Sequence, residues 1–190
     1  MRSPISRRGF LRLGLLSGAV IAGGAWVMRR SDARYARLVP PDYRRAVLSE
    51  KELAVLLALC DRVIAPTPGA PTARQARIAE RIDRELSFHQ GKLQRDIEAA
   101  LFVVEHGGVV HGSLARFTTL PPEEQDARLA AMATGRAVER QVFSNLRLVS
   151  LYFYYCDERT WPGIHYDGPK VTIPAPPEAD SRVAPRSMNG

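Results

Sequence analysis

The chain has 190 residues, 45% hydrophobic and 25% charged, with 27 Lys and Arg against 20 Asp and Glu and a formal net charge of +7. The excess is local. Residues 1–33 hold six arginines and one aspartate, leaving 21 basic and 19 acidic side chains in residues 34–190, a near-neutral balance that excludes a general electrostatic footprint for nucleic acid.

The first element is the leader, residues 1–33. Arg2, Arg7, Arg8 and Arg12 form a cationic start without an acid, and Leu13 to Met28 is a run of 16 residues without charge. A charged start, an apolar run and a polar stretch make a secretory leader. The run lies near the short end of what spans a bilayer, and its glycines at 14, 18, 23 and 24 weaken it as a helix. Ser6, Arg7, Arg8, Phe10 and Leu11 stand at the fixed positions of a twin-arginine signal, with Arg12 where lysine is usual. Ser31-Asp32-Ala33 fits a small-x-small cleavage site, but Arg29 and Arg30 intervene, which leaves a retained anchor open. Twin-arginine export carries folded cargo, so either this chain acquires a cofactor or it travels with a chain that does.

Residues 34–48, with Pro40-Pro41 and mixed charges, read as an extended arm. A helix follows from Ser49, with Glu52 at the capping-box spacing and Leu53, Leu56, Leu57, Cys60, Val63 and Ile64 at helical spacing, stopped by Pro66, Pro68, Gly69 and Pro71. A second is expected from Thr72 to His89, with Ile78, Ile82 and Leu86 on one face. A third carries Leu93, Ile97, Leu101 and Val104 up to Gly107-Gly108. A fourth opens with Pro122 and two glutamates, which suit a helix N-terminus. The fifth, Ala137 to Tyr155, is long and apolar. No strand alternation longer than a few residues and no repeat is present, and the proline-rich tail, 174–190, reads as disordered or draped over a partner. The expectation is an all-α fold, a small single-domain helical bundle of about five helices over 49–173, between a leader with its arm and an irregular tail.

Sequence signs of chemistry are few. No G-x-G-x-x-G announces a dinucleotide or flavin site, and no C-x-x-C-H a c-type haem; two cysteines 96 positions apart supply no iron–sulfur cluster. No G-x-S-x-G supports a serine nucleophile. His106 and His111 flank two glycines and could share a metal or ligand site with Glu105, although that spacing is not a known metal pattern. Cys60 falls on an apolar helix face, while Cys156 ends the last helix and could be free, paired with Cys60 or bonded to another chain. Leu151 to Tyr155 are five consecutive large apolar or aromatic residues, pointing all round a helix that must be buried in its own core or against another protein. With Trp161, His165 and Tyr166 in the turn-rich stretch beyond, Tyr152 and Tyr155 make a candidate partner interface.

The twin-arginine leader, the "LSEKELAVLLALCDRVIAPT" helix, the small helical domain and the closing "YYCDERTWPGIHYDGP" resemble the gluconate 2-dehydrogenase subunit 3 family over about residues 1–170. These are small subunits of membrane-bound flavin-dependent sugar dehydrogenases. The resemblance implies a non-catalytic chain with no catalytic, cofactor-binding or metal residues of its own. It implies a large partner subunit of the glucose-methanol-choline (GMC) oxidoreductase class that holds FAD and oxidises a sugar or alcohol, and often a multihaem cytochrome c that passes the electrons on. The small subunit would lead the FAD-bearing subunit through twin-arginine export to the periplasm and aid its maturation, with membrane association through the complex or an uncleaved leader. It also implies a covalent bond from Cys156 to the large subunit. The competing expectation is an independent exported metal- or ligand-binding enzyme built on Glu105, His106 and His111.

Overall fold

The computed structural model describes residues 34–89 and 91–169. The leader, with Ser6, Arg7, Arg8, Phe10 and Leu11, and the tail 174–190 lie outside the described residues. Within them the chain is all-helical, with no strand: α1 (Glu50–Val63), α2 (Ile78–Leu86), α3 (Lys92–His106), α4 (Pro122–Thr134) and α5 (Ala137–Tyr155), joined partly by short 3-10 helices. No helix among the described residues is long and apolar enough to cross a membrane.

The central helix is α1. Its start is fixed as the sequence predicts: the backbone N–H of Ser49 donates to Glu52 Oε2 (2.8 Å), and that of Glu52 donates to Ser49 Oγ (3.3 Å). Leu53 to Leu57, Leu59 and Cys60 are all buried, because α1 packs against α2, α3, α4 and α5. On α5, Glu139, Leu146, Ser150 and Tyr154 are buried, with Val142, Phe143, Val149, Leu151 and Phe153 packed against the core beside them. That three-to-four spacing faces α5 inward along its length. Phe117, in the 3-10 turn Phe117–Thr119, completes the core between α1 and α3.

The second expected helix is broken. Thr72 and Gln75 exchange capping bonds, one turn forms, and Arg77 then takes a left-handed backbone with φ 52° before α2 starts at Ile78. That conformation is unusual for a residue with a Cβ. Arg77 is held in it by Asp42 (3.2 Å) and Glu80 (3.4 Å), partners distant and local that no helical periodicity reveals.

Residues 34–48 run through turns and bind the domain at two points. Asp83, fully buried on α2, accepts the backbone N–H groups of Ala46 (2.7 Å), Val47 (2.9 Å) and Leu48 (2.7 Å) and the Tyr43 hydroxyl (3.0 Å). Tyr35, also fully buried, donates its hydroxyl to Glu105 Oε1 (2.7 Å). The segment is thus a strap fastened at both ends.

Between α4 and α5 the chain passes Gly135, where a Cβ would lie 2.6 Å from Glu139 Oε2 and 2.9 Å from the Ala131 carbonyl oxygen. Only glycine leaves room for Glu139 to fold back and accept the Arg136 N–H (2.8 Å) at the start of α5.

Candidate functional site

The five residues from Leu151 to Tyr155 divide between core and solvent. Tyr154 is buried and donates its hydroxyl to the Pro71 carbonyl (3.1 Å), while Leu151 and Phe153 are half-buried. Tyr152 is 64% exposed, and Tyr155 is exposed one turn later. Leu148, one turn before Tyr152, is 68% exposed, so Leu148, Tyr152 and Tyr155 form a stripe at helical spacing on the outer side of α5.

The stretch beyond α5 extends this surface. Asp157 accepts from the Arg159 backbone and guanidinium, and Arg159 reaches on to the Gln75 carbonyl (3.0 Å), fixing the 3-10 helix Glu158–Ile164 to the loop before α2. The Arg159 hydrogen bonds hold Asp157 below its usual carboxylate pKa. Trp161 is half-buried. Its Nε1 donates to the Tyr155 carbonyl (2.9 Å), and its ring lies 3.1 Å from where a Cβ on Gly168 (φ +99°) would stand. It therefore organises the loop from inside, whereas Ile164, His165 and Tyr166 are exposed, with the Tyr166 ring 5.0 Å from Trp161 edge-on. Sequence reading named Tyr152, Tyr155, Trp161, His165 and Tyr166 and missed Leu148 and Ile164. The four-residue step from Leu148 to Tyr152 was the available signal for the first.

Both cysteines are free. Cys60 is buried with its Sγ 3.5 Å from Ser150 Oγ, and burial pushes its thiol pKa up to about 12. Ser150 precedes Cys156 by six residues, about 9 Å along a helix, and Cys156 is exposed beside Tyr152 and Tyr155. A thiol reagent is therefore expected to modify one site, Cys156, in the folded chain and two after denaturation. A second equivalent consumed rapidly by the folded chain would contradict this arrangement.

Glu105, His106 and His111 do not converge. Glu105 is fully buried and accepts from the Tyr35 hydroxyl, the Thr118 N–H (3.1 Å) and the Thr118 hydroxyl (2.7 Å). His106 points elsewhere, with Nε2 2.8 Å from Lys51 Nζ, and His111 Nε2 meets Glu139 Oε1 at 2.8 Å. Since carboxylate oxygens only accept, His111 Nε2 carries a proton; the Arg136 N–H, then His111, hold Glu139 below its usual pKa. Among the described residues no group of three or more His, Cys, Asp or Glu could hold a metal ion.

An ammonium only donates, so His106 Nε2 accepts from Lys51 and the ring is neutral. Burial, then the Lys51 charge, lower its pKa. The unfolded histidine protonates near pH 6.5 and the folded one only at lower pH. Stability present above about pH 6.5 is therefore lost as pH falls toward the folded pKa. His106→Gln is expected to flatten the fall in urea midpoint between pH 7 and pH 5. Equal falls in both proteins would refute the assignment.

A second exposed apolar surface, not anticipated from the sequence, lies at the other end of α5. Phe102, Val110 and Val138 border a groove of roughly 550 Å³ there.

The family model described as gluconate 2-dehydrogenase subunit 3 matches residues 50–168. Neither a curated protein nor a solved structure matches the chain.

Proposed function

From the chain's membership of the gluconate 2-dehydrogenase subunit 3 family, we propose that it is the non-catalytic small subunit of a periplasmic, membrane-associated, flavin-dependent sugar or alcohol dehydrogenase. Its partner is a GMC-class large subunit that carries FAD, and a multihaem cytochrome c accepts the electrons. The chain supplies the twin-arginine signal in residues 1–33, escorts the folded large subunit through export and supports its maturation.

The observation that carries this reading is the exposed surface of Leu148, Tyr152, Tyr155, Ile164 and Tyr166. Monomeric proteins rarely leave a contiguous patch of large apolar side chains in water, and aromatic residues are enriched at the centres of protein interfaces. The loop that bears Ile164 and Tyr166 is held by Trp161 and Arg159, so the surface is preformed and little ordering entropy opposes docking. Cys156 stands in this patch and forms a disulfide with a cysteine of the large subunit in the oxidising periplasm.

The test is co-purification of the C-terminally tagged chain from its host. A stoichiometric larger subunit with a flavin spectrum is expected, joined to this chain on non-reducing gels. A colourless chain running alone would overturn the subunit reading. A flavoprotein complex without a linked species would overturn only the disulfide.

A further inference from the structure

The groove at the start of α5 is separated from Leu148, the nearest residue of the aromatic patch on α5, by about 15 Å of helix rise and from Tyr155 by about 25 Å. It is formed by Phe102, Val103 and His106 at the end of α3, Val110 in the following turn, and Val138 and Glu139 in the first turn of α5. Phe102, Val110 and Val138 are each more than half exposed, at 58%, 54% and 66%. Polar atoms at its edge are already engaged: His106 by Lys51, and Glu139 by His111 and Arg136. The rest of the lining is chiefly apolar, with Arg136 at its edge.

Two segments of the chain flank the described domain. The downstream one, after Pro169, leaves from the Trp161–Gly168 contact at the far end of α5, and its proline-rich sequence holds no apolar run. The upstream one contains the uncharged run Leu13–Met28, which ends in Trp26, Val27 and Met28. It joins the domain at Tyr35, whose hydroxyl is bonded to Glu105, the neighbour of groove-lining His106. Six residues lie between Met28 and Tyr35, and those seven chain steps reach up to roughly 23 Å when extended. That is ample to carry the end of the run over His106 into the groove.

We propose that the groove holds the apolar run of the chain's own leader, through Trp26–Met28, for as long as the leader remains attached. The contact is an intramolecular cover. It keeps the most apolar part of the leader and the most apolar end of α3 out of water until the leader is drawn out. Because the groove and the aromatic patch lie at opposite ends of α5, cover at one leaves the other open. The proposal does not depend on the dehydrogenase-subunit reading, and its test uses no partner.

The chain has two tryptophans, Trp26 and Trp161, so Trp26 emission is the difference between the full chain and its Trp26→Phe variant. In the full chain, Trp26 is expected to emit at short wavelength and to be shielded from acrylamide. Phe102→Asp and Val138→Glu should each shift that emission to longer wavelength and increase quenching, whereas Leu148→Glu, about 15 Å further along α5, should change neither. Val138→Glu places a carboxylate in the first turn of a helix, where the dipole favours it, and Phe102 is largely in solvent, so both variants retain the helices by circular dichroism. The two are independent, and one that unfolds leaves the other to decide. Solvent-exposed Trp26 emission in the full chain would overturn the proposal. So would shielding that neither groove variant disturbs, or shielding that fades on dilution, which would place the leader in another molecule.

Discussion

Asp83→Ala is expected to destabilise the protein by about 4 kcal/mol, roughly 10 °C in melting temperature. The carboxylate is the common acceptor for three consecutive backbone N–H groups and the Tyr43 hydroxyl. Truncating it leaves those donors facing a cavity, and each unmet buried donor costs about 1–3 kcal/mol before water enters to offset part of it. Asp83→Asn should lose about half as much, because its amide oxygen still accepts the Val47 and Leu48 N–H groups while its nitrogen faces the Ala46 N–H and the Tyr43 hydroxyl. By contrast Asp96→Ala, which removes an exposed i,i+4 partner of Lys92, should cost under about 0.5 kcal/mol. Urea titration of the three variants measures this. A loss below about 1 kcal/mol for Asp83→Ala would mean that residues 34–48 are not fastened as described; against a typical total of about 5–15 kcal/mol, the expected loss is easily seen.

The second large effect concerns association. Tyr152→Asp is expected to reduce recovery of the proposed large subunit at least tenfold, the consequence of losing about 1.4 kcal/mol or more from one buried aromatic contact. Tyr166→Asp should behave similarly. Tyr152 is 64% exposed in the free chain, so Tyr152→Asp should change its stability by no more than about 0.5 kcal/mol, whereas Tyr166→Asp also removes an edge-on contact with Trp161, a cost read separately by urea titration of the free chain. Leu114→Asp, at a residue 87% exposed in the loop between α3 and α4, serves as the comparison and should leave recovery unchanged. Equal recovery of all three would remove the aromatic surface as the docking site.

Much of the architecture was legible because local chemistry dictates it. Ser49 with Glu52, Pro122 with the two acids after it, and the apolar period from Ala137 to Tyr155 each mark helix bounds close to those observed. What escaped depends on contacts distant in sequence. The break at Arg77 is held in part by Asp42, 35 positions earlier, and the strap by Asp83, a charge that helical periodicity alone assigns no task. At the candidate surface, composition singled out the aromatics but could not tell which way each faces. Trp161 turns inward because Gly168 makes room for its ring, while Tyr152 turns outward because it lies two residues from buried Tyr154, on the opposite side of the helix. The groove was illegible for the same reason, since Phe102 and Val138 come together only when α3 and α5 pack.

The bond between Tyr35 and Glu105 has a consequence for processing. A peptidase cutting after Ala33 must draw several residues on both sides of the scissile bond into its cleft as extended chain, and Tyr35 is the second residue beyond the cut. With that ring buried and its hydroxyl committed to a carboxylate, the substrate conformation exists only when this end of the strap opens. Maturation by such a cut would be timed by a local unfolding equilibrium rather than by the protease alone. Tyr35→Ala should then hasten leader removal, and the more so the more rarely that bond opens in the native chain, turning a fold contact into the clock for proteolysis.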